Sequence, residues 1–176
     1  PGTNVEQSGP WPVASRLTVA QDVGGSDYVE IDSTNAMLYY TSSGTEVKRW
    51  LLGVGQSADF ATVPNASGPR PGTRGLRLLP PGDGSNGMLV TNGSEVVRLD
   101  SGGNVITHYI PSNPDISQDL DKVELSADAT WFAVSDQYST WIFFFDVETG
   151  AELGAFWTGL PPGQFSGFCI FRGYRA

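Results

Sequence analysis

Apolar and polar residues alternate along most of the chain in short runs, and turn residues separate the runs. The stretch DKVELSADATWFAVSDQYSTWIFFFDVETGAELGAFWTG (121–159) shows the pattern most clearly. Val123 and Leu125 flank Glu124, and SADAT turns. WFAVS (131–135) forms a second run, DQYS turns again, TWIFFFDV is a third run, ETG turns, and AELGAFWT is a fourth. Period-two alternation puts successive side chains on opposite faces of a strand. Four such strands joined by tight turns make an antiparallel meander.

The same order appears twice upstream. TRGLRLLP, GMLVTN, EVVRLD and VITHYIP occupy 73–111; DYVEID, AMLYYTS, TEVKRWLL and the weaker SADFATVP come before them. First strands align on an apolar–polar–apolar triplet: Val29-Glu30-Ile31, Leu76-Arg77-Leu78 and Val123-Glu124-Leu125, with central residues 47 apart. Phe168-Cys169-Ile170 repeats it 45 residues later. A period in the forties with four strands per unit is the mark of β-propeller blades. The expected fold is therefore all-β, a propeller of four-stranded antiparallel blades. DSGGN (100–104) and DVETG (146–150) fall at third-to-fourth strand turns, where Asp and Gly suit the backbone.

Residues 16–176 read as one propeller domain, and 1–15 as an N-terminal extension. Three blades are complete. The innermost strands are expected at 28–32, 73–80, 120–126 and 165–171, and 16–23 reads as an outer strand. These two end strands would complete a further blade, either within one chain or shared between two chains, unless the chain is the C-terminal half of something longer; the shared ring is favoured, because the opening blades are missing and unpaired sheet edges invite association.

Gly 22 and Pro 12 in 176 residues disfavour long helices, and 11% aromatic residues argue against disorder. A net charge of −9 lacks the basic footprint of a nucleic-acid binder. No apolar run is long enough to insert in a membrane as a helix. Cys169 is the single cysteine, so neither an internal disulfide nor a cysteine zinc site is expected. Pro1 in place of Met reads as a processed or excised piece.

LYYTSSGTEVKRW, LRLLPPGDGSNGMLVTNGSEVVRLDSGGNVITHY and FSGFCIFRG resemble the later blades of bacterial secreted propellers of the NHL/YVTN type, which are WD40-like. The resemblance spans about 16–172 and implies an extracellular or cell-surface location. It leaves the role open, since propellers host many functions.

Candidate chemistry centres on Glu30, Arg77 and Glu124, the triplet centres, with Cys169 fourth. An acid–base–acid ring at one height of the channel could hold a polar ligand, or could be a structural ion-pair network. His108, the single histidine, cannot build a multi-histidine metal site, and no G-x-S-x-G elbow accompanies it. Asp27, Asp32, Asp115, Asp119, Asp121 and Asp128 lie near blade starts but form no D-x-D-x-D-G calcium loop. Trp11, Trp50, Trp131, Trp141 and Trp157 fit blade-to-blade packing, or sugar stacking if exposed. Asn65-Ala66-Ser67 and Asn92-Gly93-Ser94 match the glycosylation sequon. The expected function is a non-catalytic extracellular interaction or scaffold module without cofactor, whose partner is a protein or a second copy. A lyase or lactonase with its site in the channel and a lectin-like glycan binder are the alternatives.

Overall fold

A computed structural model of the protein describes residues 19–22, 27–64, 72–113, 119–165 and 167–170. Among them are thirteen strands in three antiparallel sheets, and no helix. The first sheet holds β1 (Val29–Asp32), β2 (Met37–Thr41) and β3 (Glu46–Leu51), with β4 (Gly55–Gln56) and β5 (Ala61–Thr62) both paired to β3. The second holds β6 (Leu76–Leu78), β7 (Met88–Thr91), β8 (Val96–Leu99) and β9 (Val105–Tyr109). The third holds β10 (Leu120–Leu125), β11 (Trp131–Asp136), β12 (Trp141–Asp146) and β13 (Glu152–Trp157). Each is a meander in chain order, so the blade reading holds.

Three expectations at the margins change. The fourth strand of the first blade is two short pieces, since SADFATVP has too little alternation to hold one continuous ladder. Phe165 and residues 167–170 form no strand: a first strand needs a second beside it, and here Phe165 stacks on Phe168 instead (6.2 Å). Residues 19–22 form no strand either; they lie across the first blade, where Ala20 O accepts the Tyr40 hydroxyl (2.8 Å) and Asp22 pairs with Lys48 (3.4 Å). Residues 16–18, 23, 166 and 171 fall outside the described residues, as does the extension 1–15.

The alternation sorts each blade into two faces. In the third blade, Val123 lies opposite Val134, and Val134 opposite Phe143; Leu125, Phe132 and Phe145 align likewise. This face meets Leu89, Val96 and Tyr109 of the second blade in one buried cluster. Tyr109 meets Phe132 edge-on (4.9 Å), and its hydroxyl donates to Val147 O (2.6 Å). The opposite face of the second blade, with Leu76, Leu78, Met88, Val90, Val97 and Leu99, packs on Tyr39, Val47, Ala61 and Val63 of the first. The core is therefore two interfaces between blades, and hydrophobic burial there is what holds the sheets together.

A polar contact joins the same sheets near the channel. The Thr41 hydroxyl accepts from Tyr28 N (3.3 Å) of its own blade and donates to Arg74 O of the next. Thr91 repeats it, accepting from Gly75 N (2.8 Å) and donating to Asp121 O (3.2 Å). Ser135 holds the matching place in the third blade, diagonal to Val123. Strands converge tightly there: a Cβ on Gly75 would meet Asp121 O at 2.3 Å. Only glycine allows that approach.

Phe132→Ala should lower unfolding free energy by about 3–5 kcal/mol through loss of packing. Phe156→Ala, on an exposed side chain, should change it by less than about 1 kcal/mol. Urea denaturation compares the two, and equal losses would contradict the inter-blade core. Thr91→Val keeps the shape but strands Gly75 N and Asp121 O, at a cost of about 1–3 kcal/mol. Thr91→Ser should recover most of it in the same assay.

Candidate functional site

The triplet centres meet. Glu30 on β1 and Arg77 on β6 each lie on the face turned toward the following blade, so each reaches the next first strand. Arg77 Nη1 donates to Glu30 Oε1, and Nη2 donates to Glu124 Oε1 at 2.7 Å. Lys122 Nζ lies 3.3 Å from the same Glu124 oxygen. The predicted acid–base–acid order is thus a continuous chain of ion pairs, extended by a lysine that alignment of the triplets does not single out. Burial alone would lower the Arg77 pKa, but hydrogen bonds to Glu124 and the charge of Glu30 outweigh it and raise it. Arg77 stays charged throughout.

Beside these groups opens a cleft of about 370 Å³, walled by Ile31, Leu78, Leu125 and the Pro80–Gly82 loop. Cys169 does not join as a fourth channel strand residue; it is exposed, and the described residues around it form no strand.

A second polar group closes the other end of the first strands. The Tyr28 hydroxyl of the first blade donates to Asp121 Oδ2 of the third (3.4 Å), spanning the channel past the second blade. Arg74 Nη2 lies 3.8 Å from Asp119 Oδ1. Burial raises the Asp121 pKa and neighbouring Asp119 adds to the rise, while Arg74 and the Tyr28 hydrogen bond oppose it. Burial and the Asp121 charge likewise raise the Tyr28 hydroxyl.

The remaining candidates disperse. Asp32 and Asp128 accept from backbone amides two or three residues on, as turn carboxylates do. Asp27 takes the Ser43 hydroxyl, and Asp115 lies outside the described residues. Among the described residues no three His, Cys, Asp or Glu side chains are grouped to hold a metal. His108 sits on β9, exposed, 2.9 Å from Glu95. Asn92 is buried and donates to Pro64 O (3.0 Å), so the second sequon is closed to modification; Asn65 is outside the described residues. Trp141 packs on the core and Trp131 is half-buried against Phe144, but Trp157 is 59% exposed. Trp11 lies outside the described residues. The inter-blade hydroxyls were the main omission. Their signal was legible as the Thr that ends both AMLYYT and GMLVT.

No protein-family model matches the chain, and no curated protein matches it. Solved structures do. The Pan2 WD40 domain of Neurospora crassa superposes with a TM-score of 0.58 at 14% identity, over 80% of this chain and 39% of that one. Hydrazine synthase of Kuenenia stuttgartiensis gives 0.61 at 12% identity, over 86% and 41%. The fold is that of a WD40-like β-propeller, and the chain spans about two fifths of the length of these neighbours.

Arg77→Met leaves two carboxylates facing each other. Water reaches the cluster, with side chains 28%, 21% and 10% exposed for Arg77, Glu30 and Glu124, so the loss should be about 1–3 kcal/mol rather than that of a fully buried charge. Pairing it with Glu30→Gln should restore part of the loss, as coupled neighbours do. Additive losses would show that the ion pair is absent. The raised Asp121 pKa sets a pH dependence. Folded protein keeps its proton above about pH 4, where the unfolded chain has released it, so wild type loses stability as pH rises through that window. Asp121→Asn has no proton to release. Its melting temperature should gain on that of wild type between pH 4 and pH 7.

Proposed function

We propose that the chain is a non-catalytic interaction module of the bacterial secreted NHL/YVTN kind, working outside the cell or at its surface. The observation that carries this reading is where unsatisfied chemistry lies. Charges at the axis are spent on one another, through Glu30, Arg77, Glu124 and Lys122. Apolar groups at the two ends of the blade row, by contrast, face solvent: Val29 and Ile31 on the first blade, Leu153 and Phe156 on the third. Exposed apolar surface of this kind marks protein contact. The acidic balance of −9 keeps such a surface soluble before it docks.

A channel enzyme of the lyase or lactonase kind fits less well. Glu30 and Glu124 are already paired with Arg77, Asp121 accepts the Tyr28 hydroxyl at the other end of the first strands, and His108 is far out on β9. A lectin-like role has one observation in its favour, the exposure of Trp157 beside Phe156, since flat aromatic rings stack on sugars.

Selection of binders from a displayed library of extracellular protein domains tests the reading. Selected domains should lose binding to Leu153→Asp or Ile31→Asp, while both variants keep the wild-type melting temperature. Binders indifferent to both substitutions, with glycan-array signal that depends on Trp157, would replace the proposal with the lectin reading.

A further inference from the structure

Equivalent residues of the first strands meet, so the three meanders run in one direction about the axis. An antiparallel meander puts its first and third turns at one end of the blade and its second at the other. Asp83 and Asp128 stand in first turns, and Asp100, Asp146 and Glu148 at third turns. None of these turns contains a lysine or an arginine. Glu148 is taken by Arg98 (3.0 Å), but among the described residues the four aspartates accept bonds from their own turns and pair with no cation. The Ser85 and Ser126 hydroxyls hold Asp83 and Asp128 below the usual carboxylate range, and the Asn104 and Thr149 amides do so for Asp100 and Asp146. This end of the channel is therefore anionic at neutral pH. Its charge belongs to turns inside the blades and does not depend on what flanks them.

The cleft of about 370 Å³ beside Glu30 and Arg77 opens at the same end, because Leu78 and Leu125 finish their first strands and Pro80–Gly82 begin a first turn. Asp83 follows Gly82, and Asp128 lies three residues beyond Leu125. Walls of leucine and proline thus lead to a charged floor. There the contacts of Arg77 and Lys122 all fall on Oε1 of Glu30 or Glu124. Among the described residues, Oε2 of Glu30 keeps its capacity to accept a hydrogen bond.

We propose that this end of the channel docks a basic partner protein and seats one of its lysine side chains in the cleft, methylenes against Leu78, Leu125 and Pro81 and ammonium at Glu30 Oε2. The proposal rests on the interaction reading above and names the chemistry of the partner. Lysine fits better than arginine. A guanidinium takes both oxygens of a carboxylate at once, and Arg77 already holds one of them. An ammonium is a point charge that needs a single acceptor, and its four-carbon stem can lie along apolar walls. The aspartates around the mouth attract such a partner from a distance and set its orientation.

Fluorescence anisotropy of the full chain with a labelled Gly-Ser peptide carrying Lys-Ser-Lys tests this. The peptide should bind, more weakly as salt rises, and acetylation of its lysines should abolish binding. Arginine in their place should bind severalfold more weakly; equal affinity would overturn the single-acceptor seat. Glu30→Gln should weaken binding about tenfold, and Asp83→Asn or Asp128→Asn about threefold. Asp59→Asn makes the same charge change on an exposed residue between β4 and β5, and should leave binding unchanged. No binding of the lysine peptide at low salt overturns the proposal. So does equal binding of the acetylated peptide, or a loss with Asp59→Asn as large as with Asp83→Asn, which marks unspecific attraction to a net charge of −9. If Glu30→Gln melts well below wild type, the acetylated peptide against wild type decides in its place. Displayed domains that bind through Leu153 when the lysine peptide does not would overturn the lysine seat and leave the interaction reading standing. A bound lysine peptide with no domain selected would overturn that reading alone.

Discussion

Successive first strands crowd together at the axis, and the rest of the architecture follows from that crowding. Where Gly75 passes Asp121 O there is no room for a side chain, and no water layer separates the two blades. Backbone groups on neighbouring sheets must then find partners across the seam, since burying them unpaired is costly. Thr41 and Thr91 supply those partners, each with one hydroxyl that accepts from its own blade and donates to the next. The blades are thus joined twice, by hydrogen bonds near the axis and by apolar side chains further out.

This geometry also explains how the channel charges behave. A side chain at the centre of a first strand faces the following blade, so its nearest polar neighbour is the equivalent residue one repeat later. Alternating sign is the arrangement that avoids repulsion, and Glu30, Arg77 and Glu124 satisfy it. Arg77 suits the middle place because its planar fork can serve a carboxylate on each side. At the other end of the same strands, Tyr28 reaches past the second blade to Asp121, a span open to a long side chain on a narrow axis.

Buried seams between blades and exposed apolar groups on the end blades follow from one residue pattern. Where two blades meet inside the chain, the apolar groups of both faces are buried, and Thr41, Thr91 and Arg77 bond across the seams. The first blade's preceding face and the third blade's following face obey the same residue pattern, and no further blade covers them among the described residues. Their exposed Ile31 and Leu153 are core residues by position and surface residues by circumstance.

The sequence by itself determined the blades. Turn residues between alternating runs set the strand order, and a repeat of 47 residues set the number of sheets and brought Glu30, Arg77 and Glu124 into equivalent places. Local pattern suffices for these because a meander pairs strands that are neighbours in the chain. What happens between blades was decided by tertiary structure. That Thr41 and Thr91 would bond across seams, that Lys122 would extend the ion-pair chain, and that Tyr28 would meet Asp121 all depend on distances between residues tens of positions apart. The same is true of the ends. FSGFCIF has the alternation of a first strand, yet a strand exists only where another offers it hydrogen bonds, and among the described residues none does so at Phe168–Ile170.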